Sequence, residues 1–354
     1  MKKSLLALAV LGAYAGVASA QSSVTLYGTV DLSAKYVKND GSSRRYSLSQ
    51  DGINSSQLGF KGTEDLGGGL KAEFVLLAGV NADTGTTNTK FFNRKATVAL
   101  KGGFGEVRLG RDYTPTFWND TIFDAFGTVG LGDSTHVGQL LTSTFVRADN
   151  SIGYFLPSNI GGVYGQFMVA AAEGGPSAAA GTNGGRYVGG RIGFAAGPFD
   201  IAGAYGTQRN NALPGVPSSK TLNIGGSYDL GVVKLMGYYD RDTLSYTGVD
   251  LKENRFSFSG VVPIGQGEIH AGYETSKLKD SISNTSTKID QFAIGYVYNL
   301  SKRTAVYATA ARLNNKNGTA NSVAGGSAQT APPSGTAGSS LKSTGAEFGL
   351  RHFF

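Results

Sequence analysis

The sequence predicts an all-β protein: a sixteen-stranded antiparallel transmembrane β-barrel with an inward-folded third loop. Three observations lead there. Apolar residues recur with a period of two instead of the helical 3.6. The connections between the alternating segments switch between short and long. Beyond the first twenty residues there is no run of eighteen apolar residues, so no transmembrane helix is encoded.

The amino terminus reads as a secretory signal peptide over residues 1–20, leaving 21–354 as the barrel domain. Lys2 and Lys3 supply a positive start, Leu5 to Val17 an apolar stretch, and Ala18-Ser19-Ala20 a small-residue cleavage site. The formal charge of +7 falls to about +5 once Lys2 and Lys3 are set aside. The remaining basic residues are scattered, with no block beyond Arg44-Arg45 and Lys302-Arg303, so nucleic acid is not an expected partner. The absence of cysteine excludes thiol chemistry and cysteine metal sites. Glycine is abundant, at 53 residues, but only 9 prolines accompany it, which argues against a collagenous or disordered chain.

The alternation is clear in each segment. Val24, Leu26, Val30 and Leu32 share one face of the first, against Thr25, Tyr27, Thr29, Asp31 and Lys35. Leu222, Ile224, Tyr228 and Leu230 alternate with Thr221, Asn223, Ser227 and Asp229. Phe256, Phe258, Val262 and Ile264 alternate with Arg255, Ser257 and Ser259, and Phe348, Leu350 and Phe354 with Glu347, Gly349 and Arg351. A soluble sandwich also alternates, but it has no reason to segregate its loops. Here seven short connections (65–69, 102–105, 158–161, 196–198, 230–231, 265–267, 300–303) interleave with eight long ones (38–54, 79–90, 112–145, 173–185, 207–219, 241–253, 276–287, 313–342). Fifteen connections join sixteen strands, the pattern of an outer-membrane barrel. In hydrocarbon every backbone N–H and C=O has to be paired internally, so the sheet closes on itself. A barrel of that size holds water, which explains polar residues on the inner face.

The third long connection stands apart. Residues 112–145 carry no Lys or Arg but four aspartates, Asp112, Asp120, Asp124 and Asp133, and the aromatics Tyr113, Phe117, Trp118, Phe123, Phe126 and Phe145. That composition suits a loop packed on an inner wall and presenting carboxylates to water. Alternation points Lys35, Lys61, Arg147, Arg191, Lys234, Arg255 and Arg351 into the lumen, where Asp31, Glu73, Asp149, Asp229, Asp240, Glu268, Glu274 and Glu347 nearly balance them. Parity from Val107 and Leu109 sends Arg111 into lipid, where a charge costs about 2–4 kcal/mol at the midplane. A break of register at Gly110 is therefore expected to turn Arg111 into the pore. Carboxylates facing a basic wall set up a transverse field in a narrow aqueous gap. The candidate constriction is Arg111, Arg147, Asp124, Asp120 and Lys61, with Lys35, Asp31, Gln57, Arg191 and Arg255 lining the pore.

Four stretches, in order, resemble the Gram-negative general porins of the β-proteobacterial and neisserial type: QLGFKGTEDLGGG (57–69), GGFGEVRLGRDYTP (102–115), GYVYNLSKRTAVY (295–307) and the ending GLRHFF. The resemblance runs through the whole chain after the leader. It implies a sixteen-stranded homotrimeric barrel in the outer membrane, among lipid and lipopolysaccharide. It implies passive diffusion of small hydrophilic solutes and ions, narrowed by the third loop. It also makes Phe354 the residue read by the assembly machinery. Gln57 departs from the pattern, because the family usually has arginine there; one positive charge of the basic wall is missing.

Enzymatic chemistry finds little support. His136 lies beside Ser134 and Asp133, but the G-x-S-x-G elbow of a serine hydrolase is missing. His270 and His352 have no HExxH or Cys/His spacing, so no metal or other cofactor is expected. The competing readings are an outer-membrane enzyme with catalytic groups at one rim, and an adhesin acting through its long loops.

Overall fold

The computed structural model describes residues 23–140, 146–171, 186–209, 218–246, 248–282, 285–324 and 341–354. The leader read over 1–20 lies outside them. So do Phe145 and much of the loops read over 173–185, 207–219 and 313–342, including Pro332-Pro333.

Among the described residues, sixteen antiparallel strands close into one barrel. They are β1 (Ser23–Asn39), β2 in two pieces (Arg45–Gln50 and Gln57–Gly67), β3 (Leu70–Asn81), β4 (Lys95–Gly102), β5 (Gly105–Tyr113), β6 (Arg147–Phe155), β7 (Val163–Ala170) and β8 (Tyr187–Ala196). The second half is β9 (Phe199–Gln208), β10 (Ser218–Asp229), β11 (Lys234–Tyr246), β12 (Val249–Ile264), β13 (Gly267–Asp280), β14 (Ser286–Asn299), β15 (Thr304–Lys316) and β16 (Lys342–Phe353). Each strand pairs with its neighbours in sequence, and β16 pairs back onto β1 with Leu32 opposite Leu350 and Lys35 opposite Glu347. The predicted alternation places the faces. Val30, Phe258, Ile294 and Leu350 are exposed outside, while Asp31, Ser259, Gln291 and Glu347 are buried inside. An outward apolar face has no aqueous neighbour when the surroundings are hydrocarbon, which is the environment this surface fits.

Two connections differ from the sequence reading. The stretches 241–253 and 276–287 are mostly strand: β11 runs on to Tyr246 before β12 begins at Val249, and β13 runs to Asp280 before β14 begins at Ser286. Ladder hydrogen bonds continue above the apolar belt because water tolerates paired backbone with polar side chains on both faces. Loss of apolar alternation therefore marked the edge of the belt and not the end of the strand.

The first long connection is also more than a loop. Gln50 pairs with Leu32 and Gln57 with Thr29, so residues 51–56 are extra chain opposite only two residues of β1. This segment folds into the lumen. Asp31 accepts hydrogen bonds from the backbone N–H of Ile53 (2.9 Å) and Asn54 (2.7 Å), and the Ser56 hydroxyl donates to the Asp31 carbonyl (3.1 Å).

The apolar core lies within the barrel, under the third loop. Ala125, Phe126, Leu131 and Val137 of the loop pack on Val37, Met236, Ile289, Ala293, Ala311 and Leu313 of the wall. A short helix α1 (Pro115–Ile122) begins the loop. The Thr114 hydroxyl caps it by accepting from the Phe117 N–H, and Pro115 fits the first turn, where no N–H partner is needed. The helix rests on β8, β9 and β10.

Candidate pore constriction

The third loop is held to the wall by polar bonds at both ends of its apolar patch. The Asn119 amide donates to the Ala202 carbonyl (3.2 Å) and to Asn223 Oδ1 (2.9 Å), and Asn223 returns a bond to the Thr116 carbonyl (2.9 Å). The Ala125 N–H donates to the Ser259 hydroxyl (3.0 Å), and the Leu131 N–H to Glu347 Oε1 (3.2 Å). Farther along, the N–H groups of Gln139 and Leu140 converge on the Glu253 carboxylate, at 2.9 and 2.8 Å. Gly130 sits at φ +68 against the carbonyl of Gly52, where any side chain would collide, so the loop and the inward 51–56 segment touch backbone to backbone.

Between the docked loop and the opposite wall is a slot of about 230 Å³. Arg94, Tyr113 and Arg147 line its wall side, with Ser55 of the 51–56 segment. Thr121, Gly127, Thr128, Val129, Asp133 and Thr135 line its loop side. The Arg147 guanidinium lies over the Tyr113 ring, 4.4 Å from its centre, and donates to the Tyr113 hydroxyl at 2.8 Å. Arg94 donates to the same hydroxyl at 3.3 Å. Neither arginine has a carboxylate at ion-pair distance among the described residues, and the Nε of each is buried without a hydrogen-bond partner. Facing them is one loop carboxylate, Asp133, which accepts from the Thr135 N–H and hydroxyl at 2.7 Å each. The neighbouring His136 is pushed below its ordinary pKa by burial.

The profile of the Gram-negative porin family matches residues 7–318. Over the full length of both chains the sequence is 39% identical to outer membrane porin protein 32 of Delftia acidovorans. It is 31% identical to an outer membrane porin protein of Bordetella pertussis, over 87% of this chain and 93% of that one. The chain is a Gram-negative outer-membrane porin. The anion-selective porin from Comamonas acidovorans superposes with a TM-score of 0.82 at 35% identity, covering 94% of this chain and 100% of that one. The porin is thus an integral protein of the outer membrane and a channel for passive diffusion, not an enzyme.

The other residues singled out in the porin sequence are placed as follows. Asp120 and Asp124 do not face the slot. Asp120 is fully buried against the wall, 3.3 Å from Arg255, which also meets Asp240 at 2.8 Å and Asp242 at 3.2 Å. Asp124 folds the loop on itself by accepting from the N–H of Phe126 and Thr128 (2.9 Å each) and from the Ser134 hydroxyl (2.8 Å). Burial raises both carboxyls, Asp120 to about 7 and Asp124 to about 6. The register shift expected at Gly110 is present, with φ +122, but the residue it leaves inward is Asp112, bound to Arg108 and Lys95. Arg111 pairs in register with Ala96, on the face of Val98 and Leu109. Its cost there is relieved by Asp149 (2.6 Å) and the Asn93 carbonyl (2.6 Å), with Lys90 on the same carboxylate.

Lys61 points inward near the short-turn end, half exposed and 3.3 Å from Glu73, away from the slot. Lys35 meets Glu347 at 3.5 Å, and Asp31 is consumed by the 51–56 segment. Arg191 and Arg255 lie beneath the loop; Arg191 bonds Asn119 and lies over the Tyr164 ring, 4.7 Å from its centre. Gln57 is inward and half-buried, opposite Thr29 and Gly79. Sequence reasoning missed Arg94. It sits in the connection before β4, where no alternation exists to assign a direction.

Proposed function

We propose that this porin is a diffusion channel with a mild preference for small anions, set at the slot between Arg94, Tyr113 and Arg147 and the third loop. The observation that carries it is the imbalance across that slot: two arginines with no carboxylate at ion-pair distance among the described residues face a loop surface of hydroxyls, backbone and one carboxylate. An anion entering the gap is attracted by the two guanidinium charges that line it, whereas the slot lining offers a cation one carboxylate, Asp133. Charged groups at a constriction set ion selectivity in this way. Most other inward charges, Lys35, Lys95, Lys101 and Arg108 among them, are matched by carboxylates and contribute little net field. The Comamonas porin is anion-selective, which agrees with this reading.

The homotrimer, the contact with outer-membrane lipid and lipopolysaccharide, and the assembly role of Phe354 belong to the same proposal. A trimer form is recorded for the Vibrio cholerae OmpT, which shares the fold at a TM-score of 0.68. The test of selectivity is the reversal potential of single channels in a salt gradient. Zero or cation-directed reversal in the unaltered protein would reject the preference.

A further inference from the structure

Residues 51–56 do more than fill lumen space. Between Gln50 and Gln57 the β1 strand leaves Val30 and Asp31 opposite, room for two residues, and the chain places six there. Surplus chain in a wet lumen needs no fixed partner, because water pairs with exposed backbone. This segment is bound to the wall instead. The Asp51 N–H donates to the Asp31 carbonyl (3.2 Å), and those of Ile53 and Asn54 donate to the Asp31 carboxylate. The Ser56 N–H donates to the Asp51 carboxylate (2.6 Å), and the Ser56 carbonyl accepts from the Val80 N–H (3.0 Å). Arg351 of β16 reaches across to Asn54 Oδ1 (3.0 Å). Ile53 packs on Val297, Ala305 and Tyr307 of the wall. Hydrogen bonds to a charged acceptor are the strong ones. Asp31, fully buried, accepts from these two N–H groups and from the Tyr307 hydroxyl of β15.

The segment is also confined on two sides. At Gly52 any side chain would strike the Tyr307 ring and hydroxyl, so the backbone lies directly against that ring. On the other side the Gly52 carbonyl meets Gly130 of the third loop, where the positive φ and the lack of room both demand glycine. The slot is lined by Arg94, Tyr113 and Arg147 on the wall and by loop residues between 121 and 135, and Ser55 of this segment lines it too. The loop lines the slot as far as Val129 and touches Gly52 one residue later. Wall, loop and segment therefore close a ring around the slot.

We propose that residues 51–56 are a clasp that completes this ring and sets the size limit of the channel, with Asp31 and Tyr307 as the positioning residues that hold it against the loop tip. The inference rests on the slot being the constriction, and it assigns the slot's width to a segment outside the third loop. With the clasp open, the loop tip loses its stop at Gly52 and the slot widens toward β1 and β16. The charges of Arg94 and Arg147 stay in place. Size selection and charge selection thus belong to different residues.

The test reads solute size with uncharged probes, so that the arginine charges do not enter the result. Liposomes carrying the intact barrel are swollen in neutral sugars from a pentose to a trisaccharide, and the same preparation is recorded as single channels. In one variant a serine and a valine replace residues 51–56, filling the two positions opposite Asp31 and Val30. It should conduct more than the unaltered protein and lose the discrimination between the small and large sugars. Tyr307→Phe keeps the ring under Gly52 and removes the hydroxyl bond to Asp31. A bond to a charged acceptor corresponds to about a tenfold change in an equilibrium, so this variant should show steps above the main conductance level about ten times as often. Tyr296→Phe, on the outer face, should change neither reading. Arg94→Gln, close in size, should move the reversal potential toward cations and leave the sugar ratio unchanged. An unaltered sugar ratio in the folded shortened variant overturns the clasp, and an Arg94→Gln shift in the same membranes then shows that the slot reading survives. If the shortened variant does not insert, Tyr307→Phe decides, and a record without wider steps overturns the proposal. An Arg94→Gln protein with unmoved reversal potential overturns the slot reading and the clasp with it.

Discussion

Among the described residues Arg94 and Arg147 have no carboxylate at ion-pair distance, unlike Lys35, Lys95 and Arg108, and this sets their expected weight in the channel. In water a unit charge acts on an ion ~8 Å away with about 0.5 kcal/mol, roughly a twofold change in partition. Low-dielectric walls increase this. Arg94→Ser and Arg147→Ser should therefore each shift the reversal potential toward cations by at least that ratio, and the shift should shrink as salt screens the slot. Arg111→Ser should have a smaller effect, because Asp149 holds that charge locally. An equal shift from Arg111 would move the selectivity site to the bulge at Gly110. Parity located Arg147 from sequence because it opens a strand. It could not locate Arg94, which lies in a connection; for Arg111 parity gave the outward face that the ladder with Ala96 shows, and the expected turn of that side chain into the pore at Gly110 is what fails.

The third loop is the element whose chemistry the sequence described least well. Its aspartates suggested carboxylates presented to water, yet Asp112, Asp120 and Asp124 are buried and only Asp133 lines the slot. Short acidic side chains are also good partners for backbone N–H groups, the use Asp124 is put to, while Asp112 and Asp120 pair with Lys95, Arg108 and Arg255 of the wall. A consequence is an unusual pH response. Asp124, packed near Asp133, Glu274 and Tyr238, is raised by burial from 3.8 to about 6. The docked loop then binds a proton that the undocked loop does not between those values, so docking is stabilised as pH falls through about 6 and weakened as it rises, by up to about 3 kcal/mol. Asp120 acts in the same sense near 7. Open-channel current noise should therefore be lower at pH 5 than at pH 8, and Asp124→Asn should remove part of the difference. Packing also anchors the loop. Phe123 is fully buried against Ala202 and Tyr238, so Phe123→Ala should cost about 3–5 kcal/mol of loop docking and appear as rapid flicker in single-channel records.

For the molecule as a whole, stability depends on closing the sheet, since an open edge in hydrocarbon leaves backbone groups unpaired. The seam is the β1–β16 ladder, extended where Gly28 and Phe354 exchange backbone hydrogen bonds at 3.2 and 3.1 Å. Gly28 has outward parity, and the Phe354 ring covers it so closely that no side chain fits. Gly28→Val should displace that ring and lower the temperature at which the folded barrel converts to the slower-migrating unfolded form on a gel. Phe354→Ala should leave the Gly28 ladder bonds possible and lower it less. The same pair should separate seam closure from assembly, because only the second removes the ring proposed to be read on insertion.

By itself the sequence determined the barrel: strand number, the inner and outer faces, and the order of short and long connections. Period-two alternation is local, and it records directly which side of a strand meets hydrocarbon and which meets water. It also marked the third loop as the one that packs inside, because six aromatics have no place in water. Only the tertiary structure decided which charges face the slot, which are used as struts beneath the loop, and that residues 51–56 enter the lumen. It also brought Tyr307 of β15 onto Asp31 of β1 beneath that segment. The direction of a loop residue, or of one at a bulge, follows from distant partners, and neighbouring residues carry no record of them.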